Sequence, residues 1–190
     1  MDVRRSLQAA VVLWAAGVFL SGCGAFFTVT REEPPHPAFK PYTQIHVGWV
    51  AFPEEDWQTH GFGTKQEWVG QIQAFNTTGL QAYVKEWMPD LQVSGDQAKD
   101  QGMPASGELY LKFDYRGLVK HDSAMSGHLD ELTLGVEFIE LATRQPVYKA
   151  EVVITSRGFH SRGWKQHSFD GRLDNQMYNL ANWIKERLRG

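Results

Sequence analysis

The 190-residue chain has one cysteine, Cys23, so it has no internal disulfide and cannot supply the several thiolates of a structural zinc site. It lacks a G-x-S-x-G or S-x-x-K serine motif, and it lacks a glycine-rich phosphate loop. A formal net charge of −3 gives no global attraction to nucleic acid. Long apolar runs are also scarce. Ala9 to Leu20 (AAVVLWAAGVFL) is the one such run, and at about a dozen residues it falls short of the ~20 that span a bilayer. Seven histidines include two equally spaced pairs, His121 with His128 and His160 with His167. Six intervening residues do not bring two imidazoles onto one helical face, and no H-E-x-x-H accompanies them, so solvent-facing loop histidines are expected and no metal is assigned. Adjacent acids such as Glu54-Glu55-Asp56 and Asp130-Glu131 fall in polar connections and suggest no cleft.

What remains begins with the lone thiol. Arg4 and Arg5 precede the apolar run, and Leu20-Ser21-Gly22-Cys23 closes it. A charged start, a short apolar middle and a small-residue end have the layout of a targeting segment. Arg4-Arg5 fits the twin-arginine export pattern only loosely and is read as ordinary positive charge before the apolar run. These four residues resemble the lipobox of bacterial lipoproteins at every position. The resemblance implies cleavage before Cys23, thioether lipidation of its sulfur and acylation of the new amino terminus. It makes residues 1–22 a signal peptide, and Gly24, where an aspartate would retain the protein at the inner membrane, implies the periplasmic face of the outer membrane. Two or three acyl chains exceed the two-signal threshold for stable anchoring.

About 168 residues then remain, enough for one domain with a substantial core. The last third, from Leu141, carries nine Lys/Arg against four Asp/Glu, so the mature chain is unevenly charged. Residues 23–41 contain Pro34, Pro35, Pro37 and Pro41 and read as a semi-rigid tether of roughly 50 Å, at ~3.1 Å per residue. The alternative is that Ala25 to Thr30 (AFFTVT) forms an edge strand.

Residues 42–190 read as a single α+β domain. Ile45, Val47, Trp49 and Ala51 alternate with polar residues and predict a first strand. Thr64-Lys65-Gln66-Glu67 is a capping-box sequence, after which Trp68, Val69, Ile72, Leu80, Tyr83, Val84 and Trp87 recur at helical spacing up to Pro89. Asn76-Thr77-Thr78-Gly79 is a weak spot in that helix. Leu91 and Val93 mark a short strand. Alternating runs centred on Leu109 to Tyr115, Leu132 to Phe138 and Tyr148 to Ile154 mark three more, the last two close enough to form a hairpin. Thr133, Glu137, Lys149, Glu151 and Thr155 place one sheet face in water. A final helix from about Asp170 presents Leu173, Met177, Leu180, Ala181, Ile184 and Leu188. The expected architecture is a mixed, mostly antiparallel sheet of about 4–5 strands with two long helices on one face.

This element order, with the hairpin LGVEFIELATRQPVYKAEVVI, resembles small envelope lipoproteins: the lipopolysaccharide-assembly lipoprotein, activators of penicillin-binding proteins, and lipoproteins with the fold of the amino-terminal domain of the Tol translocation protein. The turn glycine of that hairpin is missing here. The resemblance implies a non-catalytic assembly or regulatory role with an envelope protein as partner, implies no cofactor, and carries no site residues across. Within the domain, Arg157 to Phe169 (RGFHSRGWKQHSF) combines Arg157, Phe159, Arg162, Trp164, Lys165 and Phe169. Aromatic and arginine side chains together suit a protein partner, and aromatic faces also suit a glycan or lipopolysaccharide. The same aromatics would equally serve as a lid over the core. Trp57, before the long helix, poses the same question.

Overall fold

A computed structural model describes residues 26–34, 39, 41–60, 62–95, 106–120, 130–157 and 168–189. Where the sequence alternates most cleanly, strands form at full length: β4 (Glu108–Val119), β5 (Glu131–Glu140) and β6 (Gln145–Thr155), each antiparallel to the next. Along β5, Leu132, Leu134, Val136 and Phe138 are buried while the residues between them lie on the other face. The β5–β6 turn closes with Arg144 at φ 55°, its amide donating to the Glu140 carbonyl at 2.8 Å. An arginine thus takes the left-handed position that glycine ordinarily fills.

The sheet has six strands in the order β1-β6-β5-β4-β2-β3, more than the four or five expected. The additional strand is β1 (Phe27–Glu33), antiparallel to β6, from the stretch read as tether. A bulge between Val29 and Arg31 interrupts its ladder. Glu32 then turns to the core side, where the buried Tyr148 hydroxyl donates to it at 2.9 Å and Arg187 lies 3.5 Å away. At the opposite edge, β2 (Gln44–Val47) lies between β4 and β3 (Gln92–Gly95), parallel to both. β2 ends sooner than the alternation predicts. Gly48 donates its amide to the Leu111 carbonyl, and a Cβ on it would lie 2.5 Å from that oxygen and 2.8 Å from the Tyr110 hydroxyl.

One face of the sheet is covered by helices whose buried residues join it in a single core around Phe138, Tyr148, Trp68 and Trp183. The helical run expected over 65–87 exists but is not one helix. After a short α1 (Asp56–Thr59), it divides into α2 (Lys65–Ala74), a π-helical segment (Phe75–Gln81) and α3 (Ala82–Trp87). The predicted capping box is present: Thr64 Oγ1 accepts from the Glu67 amide, and Glu67 accepts from the Thr64 amide.

The π segment coincides with the weak spot. Thr77 and Thr78 hydroxyls donate to the Gln73 and Ala74 carbonyls, and Asn76 Nδ2 to the Ile72 carbonyl, so widened turns keep their acceptors satisfied. Asn76 also holds Val50 through both its amide and its carbonyl, at 2.7 and 3.1 Å. Among the described residues only α4 (Phe169–Arg189) is a single long helix. It packs on the π segment and α3, where Gly79 admits Met177 at a distance no Cβ would allow.

Candidate functional site

Among the described residues, the face of the sheet that no helix covers carries the most concentrated charge chemistry. Strand alternation puts Lys112 and Asp114 of β4, Gly135 and Glu137 of β5, and Lys149 and Glu151 of β6 on this side. Glu137 is the bridge, its two oxygens taking Lys112 Nζ at 3.2 Å and Lys149 Nζ at 3.3 Å. Partial burial works to raise the Glu137 pKa, but the two ammonium groups outweigh it and hold the carboxyl below its ordinary range. Beside it, Arg116 pairs with Asp114 at 2.8 Å, and the Thr30 hydroxyl donates to Glu151 Oε1 at 2.9 Å. Gly135, paired with both Asp114 and Glu151, leaves the floor low. The result is a trough of about 300 Å³ walled by charges of both signs, with Arg31 and Glu33 of β1 on its rim. Such a surface offers hydrogen-bond donors and acceptors at fixed spacing and no apolar anchor.

A second polar constellation lies at the parallel strands. His46 is 4 % exposed, with Ser94 Oγ 2.7 Å from Nδ1 and Glu108 Oε2 3.0 Å from Nε2. With neutral imidazole, Nε2–H donates to Glu108 and the serine hydroxyl donates to Nδ1, so three polar groups on adjacent strands satisfy one another. Hydroxyl, imidazole and carboxylate stand in the order of a nucleophile relay, here closed into the sheet.

The third cluster is aromatic. His60 stacks between Trp68 and Phe169, with ring centroids 5.3 and 5.2 Å apart, and Phe62 meets both flanking rings edge-on. Phe169, expected within a partner surface, is thus built into the aromatic layer on the core. Arg157 is half-buried, with its carbonyl accepting from Asn179 Nδ2 at 2.7 Å. Phe159, Arg162, Trp164 and Lys165 lie outside the described residues, as do Cys23 and the four paired histidines. Trp57 packs against the core.

Among the described residues no group of three or more His, Cys, Asp and Glu is placed to hold a metal ion, and no helix is long and apolar enough to cross a membrane. The trough was partly visible in the sequence through Glu137, Lys149 and Glu151. Arg31 and Glu33 were not, because the strand that brings them there was read as linker.

No family model matches the chain, and no curated protein does. Among solved structures, the chain is similar to the PelC dodecamer from Paraburkholderia phytofirmans, at 13% identity over 86% of this chain and 98% of that one, with a TM-score of 0.42. The L103M form of the same dodecamer aligns at 12% identity over 86% and 99%, with a TM-score of 0.43. At that level neither activity nor assembly transfers to this protein.

Proposed function

We propose that the chain is a lipoprotein anchored by Cys23 at the periplasmic face of the outer membrane, and that its α+β domain serves an envelope machine as a non-catalytic assembly or regulatory component. The Leu20-Ser21-Gly22-Cys23 lipobox behind a charged and then apolar leader carries this reading. The trough supports a binding role: paired charges at fixed spacing suit recognition of a polar partner surface.

Intact-mass analysis of the membrane-extracted protein tests the anchor. The expected product begins at Cys23 and carries a diacylglyceryl thioether and an amide-linked acyl chain. A Cys23→Ala variant that still fractionates with the outer membrane after a high-salt wash overturns the anchor. For the partner, a photo-crosslinking residue at Lys112 should give one discrete adduct in intact cells, lost when Glu137 and Glu151 are both changed to lysine. No adduct, or one indifferent to that reversal, overturns the trough as the contact.

A second reading, a glycan- or lipid-binding lipoprotein, is favoured by the polar lining and the glycine floor of the same trough. Binding of cell-wall fragments or lipopolysaccharide in isothermal titration calorimetry, weakened when Glu137 and Lys149 are both changed to alanine, supports it; no binding of either ligand refutes it.

A further inference from the structure

The described fold begins where the anchor ends. Phe27 pairs with Ile154, so the first strand residue lies only four positions after Cys23. Fully extended, that connection reaches at most about 14 Å. An 18-residue tether would have allowed roughly 50 Å. A lipidated Cys23 at the interface therefore holds one particular end of the sheet against the headgroup layer.

That end is identified by a continuous row across four strands. Val119 pairs with Glu131, Glu131 pairs with Thr155, and Thr155 donates its amide to the Phe26 carbonyl at 3.0 Å. At neighbouring-strand spacing, Val119 and Phe26 stand about 14 Å apart. Both are large apolar residues left in water, 52 % and 48 % exposed. Trp49, another exposed apolar residue, sits well below the row: Gly48 before it bonds to Leu111, eight residues back along β4 from Val119. Glu131 is the one ionisable side chain of the row, which therefore offers no cationic patch to anionic headgroups and suits the apolar boundary of a bilayer through its two ends.

We propose that the Phe26–Thr155–Glu131–Val119 row is a membrane-contact edge that seats on the phospholipid surface, so that the strands rise steeply from the bilayer. This rests on the lipoprotein reading and adds to it a fixed orientation. The test uses the full lipidated chain, in which acylation consumes the native thiol. Glu131→Cys in the row and Arg144→Cys in the turn at the opposite end, roughly 30 Å away along β5, are each labelled with an environment-sensitive fluorophore. They are reconstituted in phosphatidylethanolamine/phosphatidylglycerol vesicles carrying headgroup nitroxide lipids.

The label at 131 should be quenched at least three-fold more strongly than the label at 144, with little change between low and high salt. Inserting eight Gly/Ser residues between Gly24 and Ala25, together with Phe26→Ser and Val119→Ser, should erase the difference while the protein still floats with the vesicles. Equal quenching at 131 and 144 in a protein that floats overturns the contact edge and leaves the lipoprotein reading standing. A protein that carries no acyl chains and does not float overturns both.

Discussion

Asp130 offers the sharpest test of how the core is held to the sheet. It is 1 % exposed and accepts from Arg172 Nε at 2.7 Å, on the first turn of α4, while the Arg172 side chain retains 13 % exposure. Its backbone is bonded as well: Ser156 N and Gln176 Nε2 donate to the Asp130 carbonyl, and the Asp130 amide donates to Ser156 Oγ. Asp130→Ala therefore removes the carboxylate and leaves that frame in place. Breaking a buried ion pair from one side costs about 3–5 kcal/mol. Arg172 can swing its head toward water, which puts the expected loss near the low end, about 3 kcal/mol. For a domain of this size that lowers Tm by roughly 6–12 °C. Asp130→Ala combined with Arg172→Met removes both charges of the pair and should recover most of the loss, because an apolar pair replaces a buried ion pair at little cost. Urea unfolding of both variants, with m unchanged, is the assay. A single-variant loss under 1 kcal/mol, or a double variant no better than the single, would refute the reasoning.

Three further outcomes follow from particular side chains. Burial holds the His60 pKa below its ordinary value against the opposing pull of Asp56, 3.8 Å away, so the folded state binds fewer protons than the unfolded chain. Stability should accordingly be complete above about pH 6.5 and fall as the pH drops below it, by up to about 1.4 kcal/mol per unit from this group. His60→Phe, which keeps the stack and removes an Nδ1 with no partner among the described residues, should flatten that part of a pH-dependent urea series; an unchanged slope refutes it. Gly48→Ala drives a Cβ into a backbone carbonyl that cannot move without breaking the β2–β4 ladder, and should cost about 2–3 kcal/mol by denaturant unfolding, where a loss under 0.5 kcal/mol contradicts the contact. Arg144→Gly relieves the left-handed strain of the hairpin and should stabilise by about 0.5–1 kcal/mol; destabilisation would show that the arginine side chain contributes more than its backbone costs.

The long antiparallel strands, the hairpin, the capping box and the final helix were legible because each rests on local signals: a period of two, a period of 3.6, or a four-residue cap. What escaped, or stood only as the edge-strand alternative for Ala25 to Thr30, depends on contacts far apart in sequence. β1 has few apolar residues and a bulge, and it exists as a strand because β6 presents a free ladder and Tyr148 a hydroxyl for Glu32. The parallel pairing of β2 with β3 and β4 leaves no local trace, so His46, Ser94 and Glu108 stood as unrelated polar positions. Helical periodicity named the apolar stripe of α4 but not its buried amides: Asn175, Gln176 and Asn179, which donate to carbonyls at the end of β6 and at Asp130. Asn76-Thr77-Thr78-Gly79 read as poor helix formers, whereas in the fold the same side chains satisfy a π segment and position Val50.

The strand that replaces the tether changes what lipidation at Cys23 would accomplish. A flexible anchor confines a domain to a membrane but leaves its faces free to point anywhere. Only three residues separate Cys23 from β1, and β1 is fixed twice: by its ladder to β6, and by Glu32 beneath Tyr148 and Arg187 of α4. With the Phe26–Val119 row on the bilayer, the trough around Glu137 lies six residues farther along β5 than Glu131, about 20 Å above the membrane and facing sideways. A partner reaching it would approach laterally, along the membrane. Such a site favours components held on the same surface, because orientation and height are already set and only lateral diffusion remains. Lengthening the connection at Gly24 should therefore weaken partner crosslinking at Lys112 even though no trough residue changes. Equal crosslinking with and without the insertion would show that the trough works independently of its distance from the membrane.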